Sequence, residues 1–222
     1  MEFLKLYSHS ATAEEITPDF NKLSSRLFNN VETDALKDTF YECVSECKRA
    51  VSFNSGFMLF PVKITDSTID FKAFSLTSKA LSKNLSGCGQ CIIFGATAGI
   101  GLDRIIDKYS AISPAKAFIC QSIGAEYIES YCDFLCTHFE QEQASHTRPR
   151  FSPGYSDLSV EVQTKLFELL SLPKNCGLTL TSSLIMRPSK SVTAFVGLSD
   201  KACNEYNKCA ECERKDCEFK KI

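Results

Sequence analysis

Residues 114–143 read PAKAFICQSIGAEYIESYCDFLCTHFEQEQ. Phe118, Cys120, Ile123, Tyr127, Ile128, Leu135 and Phe139 recur along them as a broad apolar stripe, the period of a buried helix face. Pro114 stands at the first turn, where a missing amide costs little because it would have no intrahelical partner. The stretch is therefore expected to be the longest helix of the protein. It separates two groups of strand-like sequence. Before it, QCIIFGATAGI (90–100) is an apolar run of strand length ending in small residues. After it, GLTLTSSLIM (177–186) and KSVTAFVGLS (190–199) alternate and predict two strands.

Other helices flank these strands. Gly99 and Gly101 lead into LDRIIDKYS (102–110), a helix of about two turns. LSVEVQTKLFELLSLP (158–173) predicts another, with Val162, Leu166, Leu169 and Leu170 on one side, Asp157 or Ser159 as cap, and Pro173 after its end. Thr33 or Asp34 can cap TDALKDTFYECVSECKRAV (33–51), whose Leu36, Phe40, Cys43, Cys47 and Val51 form one face. Cys43 and Cys47 lie one turn apart on it and read as core rather than as metal ligands. GFMLFPVKITDSTIDFKAF (56–74) is strand material broken by a proline and a Thr-Asp-Ser turn, and Ser78 starts a short helix. A short helix also fits ITPDFNKLSSRLF (16–28), while the rest of the first 30 residues is weakly patterned. Mixed helices and strands of this order predict an α+β fold, with a twisted, largely antiparallel sheet and helices packed against it.

The chain has 222 residues and a net charge of −2, which gives no electrostatic footprint for nucleic acid. No apolar run reaches the roughly 18 residues of a membrane span. MEFLKLYSHSATAEE lacks a basic start followed by an apolar core, so no signal peptide is expected and a cytoplasmic location is. Seventeen phenylalanines and seven tyrosines, with no tryptophan, supply a core. Cysteine is the unusual residue, at twelve. In a cytosolic chain these are expected to be thiols or metal ligands rather than disulfides.

Residues 150–155, RFSPGY, put an arginine, a proline, a glycine and a tyrosine within six positions. Arginine offers a planar fork that pairs with a carboxylate through two bonds. Glycine after proline lets the backbone turn sharply and approach a ligand. Tyrosine gives a flat face with a polar edge. The plainer alternative is a Pro-Gly turn with Arg150 in a surface salt bridge. Nearby Arg148 reads as a solvated charge. His9, His138 and His146 have little context. GATAGIGL (95–102) has the glycine density of a phosphate loop but neither its spacing nor its lysine, so Thr97 to Gly101 reads as a tight strand-to-helix turn.

With those residues in view, RFSPGYSDLSVEVQTKLFELL, GLTLTSSLIMRPSKSVTAFVGLS and IIFGATAGIGLDRIID resemble the activation domain of vitamin B12-dependent methionine synthase. The Arg-x-x-Pro-Gly-Tyr motif is the most specific piece, matched by Arg150, Pro153, Gly154 and Tyr155. Thr179, Met186, Pro188, Lys190 and Ser191 fit the same register. The resemblance is strongest over 146–198, weaker over 75–145, and covers little of the first 50 residues.

It implies binding of S-adenosylmethionine. Arg150 would meet the methionine carboxylate, and Pro153, Gly154 and Tyr155 would shape the wall. Glu129, then Asp133, with Glu126 as a neighbour, would supply acidic groups from the long helix. The resemblance also implies methyl transfer to an inactive, oxidised cobalamin, with one electron from a flavodoxin-like or ferredoxin-like donor. The chain lacks the cobalamin-ligating Asp-x-His-x-x-Gly, so it looks like a stand-alone member. A separate corrinoid-binding methyltransferase would then carry the cobalamin. The chain itself would be an accessory component of methionine synthase activity.

The implied domain covers 1–198, followed by a cysteine-rich tail, 199–222. In that tail Cys203, Cys209, Cys212 and Cys217 are spaced C-x5-C-x2-C-x4-C. Four thiolates suit tetrahedral zinc or an iron–sulfur cluster, though the spacing fits neither familiar pattern cleanly, and redox-labile thiols remain a third possibility. Two further functional readings follow: an iron–sulfur electron-transfer module, or a non-catalytic partner-binding protein of a corrinoid system.

Overall fold

The computed structural model describes residues 5–28 and 33–201. Cys203, Cys209, Cys212 and Cys217 lie outside the described residues. The chain order is β1 (Leu6–Ala11), α1 (Phe20–Phe28), α2 (Asp34–Ala50), β2 (Phe53–Pro61), β3 (Lys63–Thr65), β4 (Thr68–Asp70), β5 (Ser75–Thr77) and α3 (Lys79–Asn84). It continues with β6 (Gln90–Thr97), α4 (Ile100–Ile112), α5 (Pro114–Gln143), β7 (His146–Thr147), α6 (Val162–Leu169), α7 (Leu172–Cys176), β8 (Thr179–Leu180), β9 (Met186–Arg187) and β10 (Ser191–Ser199).

The fold is α+β. Its main sheet has five strands in the order β1-β2-β6-β10-β7, and every pairing in it is antiparallel. Successive side chains along a strand point to opposite faces, and here both faces are covered. Phe53, Phe57, Ile92, Phe94, Ala194 and Val196 meet α1, α2, α4 and α5. Met58, Phe60, Cys91, Ile93 and Phe195 meet α3, α6, α7 and the small β3-β4-β5 sheet. A strand buried on both sides reads as a continuous apolar run, which is why 90–97 shows little alternation.

The second face is hollowed where Gly56 pairs with Gly95 across β2 and β6. Leu172 of α7 fills the hollow. A Cβ on Gly95 would lie 2.6 Å from Leu172 Cδ1, and one on Gly56 would lie 3.6 Å from Leu172 Cδ2. The glycines are there for close approach of a helix to the sheet.

The long helix runs over the predicted span, 114–143, and is the longest described. Several expectations need correction. Phe118 is 62% exposed, because it falls on the solvent side of α5, and Leu36 is 37% exposed at the start of α2. The α4 helix has 13 residues and extends two residues beyond the expected 102–110 at each end, since it starts at Ile100 and continues to Ile112. The helix expected over 158–173 is two: α6 ends at Leu169, capped by Leu170, and Ser171 adopts a left-handed conformation before α7. Pro173 therefore sits in the first turn of α7 and not after a helix end. The strand expected over 177–186 is a hairpin of two-residue strands, β8 and β9. Asp157 does not cap α6; its carboxylate accepts from Lys79 N at 2.6 Å and Ala80 N at 3.2 Å, at the start of α3.

Candidate functional site

The edge of the main sheet delivers Arg150 to the long helix. Thr147 pairs with Leu198, and His146 with Ser199. Arg148 N then donates to Gly197 O at 2.8 Å, and Phe151 exchanges two backbone bonds with Phe195 at 3.0 and 2.8 Å. This edge is fastened to α5 by Glu140, whose carboxylate accepts from Thr147 N at 2.8 Å and Thr147 Oγ1 at 2.9 Å. Arg150 lies between those anchors and reaches α5.

There Glu129, Asp133 and Cys136 follow steps of four and three, which places them along one stripe of a helix. Arg150 Nη2 donates to Glu129 Oε2 at 2.6 Å, and Nη1 donates to Asp133 Oδ1. Nη1 also faces Cys136 Sγ at 4.0 Å. The arginine side chain is 19% exposed, against 59% for Glu129 and 74% for Asp133. So a mostly covered guanidinium is met by two carboxylates that keep much of their water. One positive charge against two negative ones leaves the cluster net acidic. Burial pushes the thiols of Cys132 and Cys136 up, although Arg150 pulls the other way. Both therefore stay neutral beside the guanidinium.

The turn after Arg150 is built as a tight knot. Pro153 is buried. Gly154 has φ +89°, which a side chain would strain, and a Cβ there would meet nothing nearer than Val160 Cβ at 3.9 Å. Gly154 N donates to Leu158 O at 2.8 Å, and Leu158 N to Tyr155 O at 3.0 Å. Tyr155 is 54% exposed, its ring edge-on to Phe151 at 6.0 Å. The structure thus joins Arg150, Glu129 and Asp133 in direct contact, and sets Tyr155 on the surface of the turn that follows. Glu126 is engaged elsewhere, with Arg26 of α1 at 3.3 Å.

Sequence reasoning passed over Cys136, which completes the arginine's surroundings. Its i+7 position from Glu129 was the available signal. Arg148 is half-buried, with Nη2 donating to Ser86 O at 3.4 Å, and so is not simply a solvated charge. His9 also gains a context: its Nδ1 lies 3.2 Å from Tyr131 Oη, and its ring lies 5.4 Å from that of His138. Burial and His138 hold its imidazole below the usual value of 6.5.

Two concavities lie away from Arg150. One of about 510 Å³ is bounded by Thr164, Phe167 and Glu168 of α6 and by Leu180 and Leu184 of the β8–β9 hairpin. One of about 240 Å³ lies between α1 and α2 at Asn21, Lys37 and Tyr41. Neither is lined by Glu129, Asp133 or Arg150. Among the described residues no group of three or more His, Cys, Asp or Glu is arranged to hold a metal ion. No described helix is long and apolar enough to cross a membrane.

The profile of the family described as Vitamin B12 dependent methionine synthase, activation domain, matches residues 89–220, which include the arginine motif and the long helix. The chain belongs to this family. No curated protein matches it. A crystal structure of the MetH reactivation domain bound to AdoHcy is similar in fold, with a TM-score of 0.68 and 14% identity, over 92% of this chain and 81% of that one. At that identity the likeness bears on architecture. The activation-domain family match begins at β6, whereas the structural match, over 92% of the chain, also takes in most of the residues before it.

Proposed function

We propose that this activation-domain protein binds S-adenosylmethionine and serves the reductive methylation and reactivation of a separate cobalamin-dependent methyltransferase, namely methionine synthase. One observation carries the reading: the arginine of the motif is seated on α5 in a cluster with excess negative charge, beside a glycine-opened turn. The ligand is a zwitterionic amino acid with an added sulfonium charge. Its carboxylate suits the arginine fork, and its two cationic centres suit Glu129 and Asp133. Pro153 and Gly154 shape the turn, and Tyr155 offers an exposed face for the ligand to lie on. The AdoHcy bound to the reactivation domain of similar fold has the same amino-acid end.

When bound, S-adenosylmethionine would supply the methyl group. A corrinoid-binding partner would bring the cobalamin, and a flavodoxin-like or ferredoxin-like donor the electron. The chain's own part is to hold and orient the ligand and to exclude competing anions from the arginine. Calorimetry tests this directly. Wild type is expected to bind S-adenosylmethionine. Arg150→Ala is expected to bind about tenfold to a hundredfold more weakly, as loss of a charge-assisted pair of roughly 1.5–3 kcal/mol requires. An unchanged affinity in that variant would remove the arginine from the site.

A further inference from the structure

The Arg150 fork is already occupied. Its two terminal nitrogens are each taken by a different carboxylate, Glu129 on Nη2 and Asp133 on Nη1. Each of these nitrogens has a second proton, but a third carboxylate beside the two would crowd three negative charges onto one guanidinium, so a ligand carboxylate that pairs with this fork displaces one of them. We propose that Asp133 is a stand-in for the ligand's carboxylate, which leaves Nη1 when a carboxylate-bearing ligand arrives, while Glu129 stays on Nη2. The inference rests on the reading of the site given above and adds to it a built-in competitor.

Two features single out Asp133. Its side chain is 74% exposed, against 59% for Glu129, so it is the carboxylate that returns to water with the least change in solvation. Its release also leaves Nη1 facing only the neutral Cys136 thiol at 4.0 Å, which is no rival for an anion. Glu129, more covered, keeps one nitrogen charge-paired throughout, so the guanidinium is never stripped of both partners while 19% exposed. The exchange trades one ion pair for another. Its consequence is a penalty that falls only on a ligand with a carboxylate, because such a ligand must evict Asp133 before it can pair with the whole fork. A nucleoside sulfonium without a carboxylate would leave the internal pair intact.

The test compares two ligands on full-length protein by calorimetry: S-adenosylmethionine and its decarboxylated form. Both carry the sulfonium and an ammonium, so the pull of Asp133 on those cations largely cancels in the ratio of their affinities. In Asp133→Ala the ratio is expected to move about two- to fivefold further in favour of the carboxylate-bearing ligand, the range set by an exposed ion pair. Asp133→Asn, which preserves shape and helix surface, is expected to move it the same way. A ratio that is unchanged or reversed in both variants would overturn the stand-in role. Failure of the underlying reading looks different: wild type would bind neither ligand, or Arg150→Ala would leave the ratio untouched, and the stand-in would fall with it.

Discussion

At Asp157 one carboxylate joins two distant parts of the chain. It accepts from Ser78 Oγ at 2.6 Å, Lys79 N at 2.6 Å and Ala80 N at 3.2 Å, and so satisfies amides at the first turn of α3 that no intrahelical carbonyl can reach. Ser78 in turn accepts from Leu81 N at 3.0 Å. Asp157→Ala is expected to lower stability by about 1 kcal/mol, the usual worth of an N-terminal cap, measured by denaturant unfolding. The bond from Ser78, followed by those from Lys79 and Ala80, holds the Asp157 carboxyl below its ordinary value of 3.8. A depressed carboxyl stabilises above its unfolded value and loses that contribution as pH falls through the folded one. The gap between wild type and variant should therefore be full at neutral pH and close below about pH 4. A gap that persisted in acid would mean the carboxylate's charge plays no part. Sequence made Ser78 legible as a helix start, since its acceptor role is local. Asp157 was not legible, because its amides lie 77 and 78 residues away and a nearer helix competed for it. The same distinction governs the candidate site. Arg150 stood out by its neighbours, whereas its engagement by Glu129 and Asp133 depends on a sheet edge laid against α5.

Elements were legible where one periodicity dominated. The thirty residues of α5 keep an apolar stripe throughout, and a proline marks the start. The first strand, LYSHSA, is an edge with only one end residue buried, so no alternation betrays it. The pair of left-handed residues at Ser171 and Gly177 frames α7, yet a serine there gives no such warning as a glycine does. What α7 contributes is Leu172, wholly buried against Gly95. Gly95→Ala should overpack this contact and cost about 1–3 kcal/mol. Leu172→Ala should leave a cavity and cost about 2–5 kcal/mol. The two side chains would compete for one space, with 2.6 Å between the added Cβ and Leu172 Cδ1. The double variant is accordingly expected to lose less stability than the two single variants together. Strict additivity in denaturant unfolding would show that α7 does not seat in the glycine hollow.

Taken whole, the molecule is a sheet covered on both faces, with the candidate site on one outer edge, where β7, β10 and the C-terminal half of α5 meet. The last strand ends at Ser199, where Ser199 and Leu198 pair with His146 and Thr147, the residues that lead into Arg150. Among the described residues the sheet ends at Ser199, and a boundary at 198 would cut the strand that positions the arginine. The family match runs on to residue 220, past Cys203, Cys209, Cys212 and Cys217. The segment KACNEYNKCAECERKDCEFKKI is poor in apolar residues. A metal bound by four thiolates would supply stability to so polar a segment. We therefore propose one metal centre, zinc or an iron–sulfur cluster, in these residues and separable from the arginine site. Protein truncated after Asp200 is expected to unfold cooperatively like the full chain, to bind S-adenosylmethionine with the same affinity, and to carry neither zinc nor iron. Full-length protein prepared without oxygen is expected to carry one centre, read by elemental analysis and absorbance. Substoichiometric zinc and iron in the full chain, with all four thiols open to alkylation, would refute the centre. A truncated form that folds but loses ligand affinity would instead refute the separation, and would move part of the binding site into the segment beyond β10.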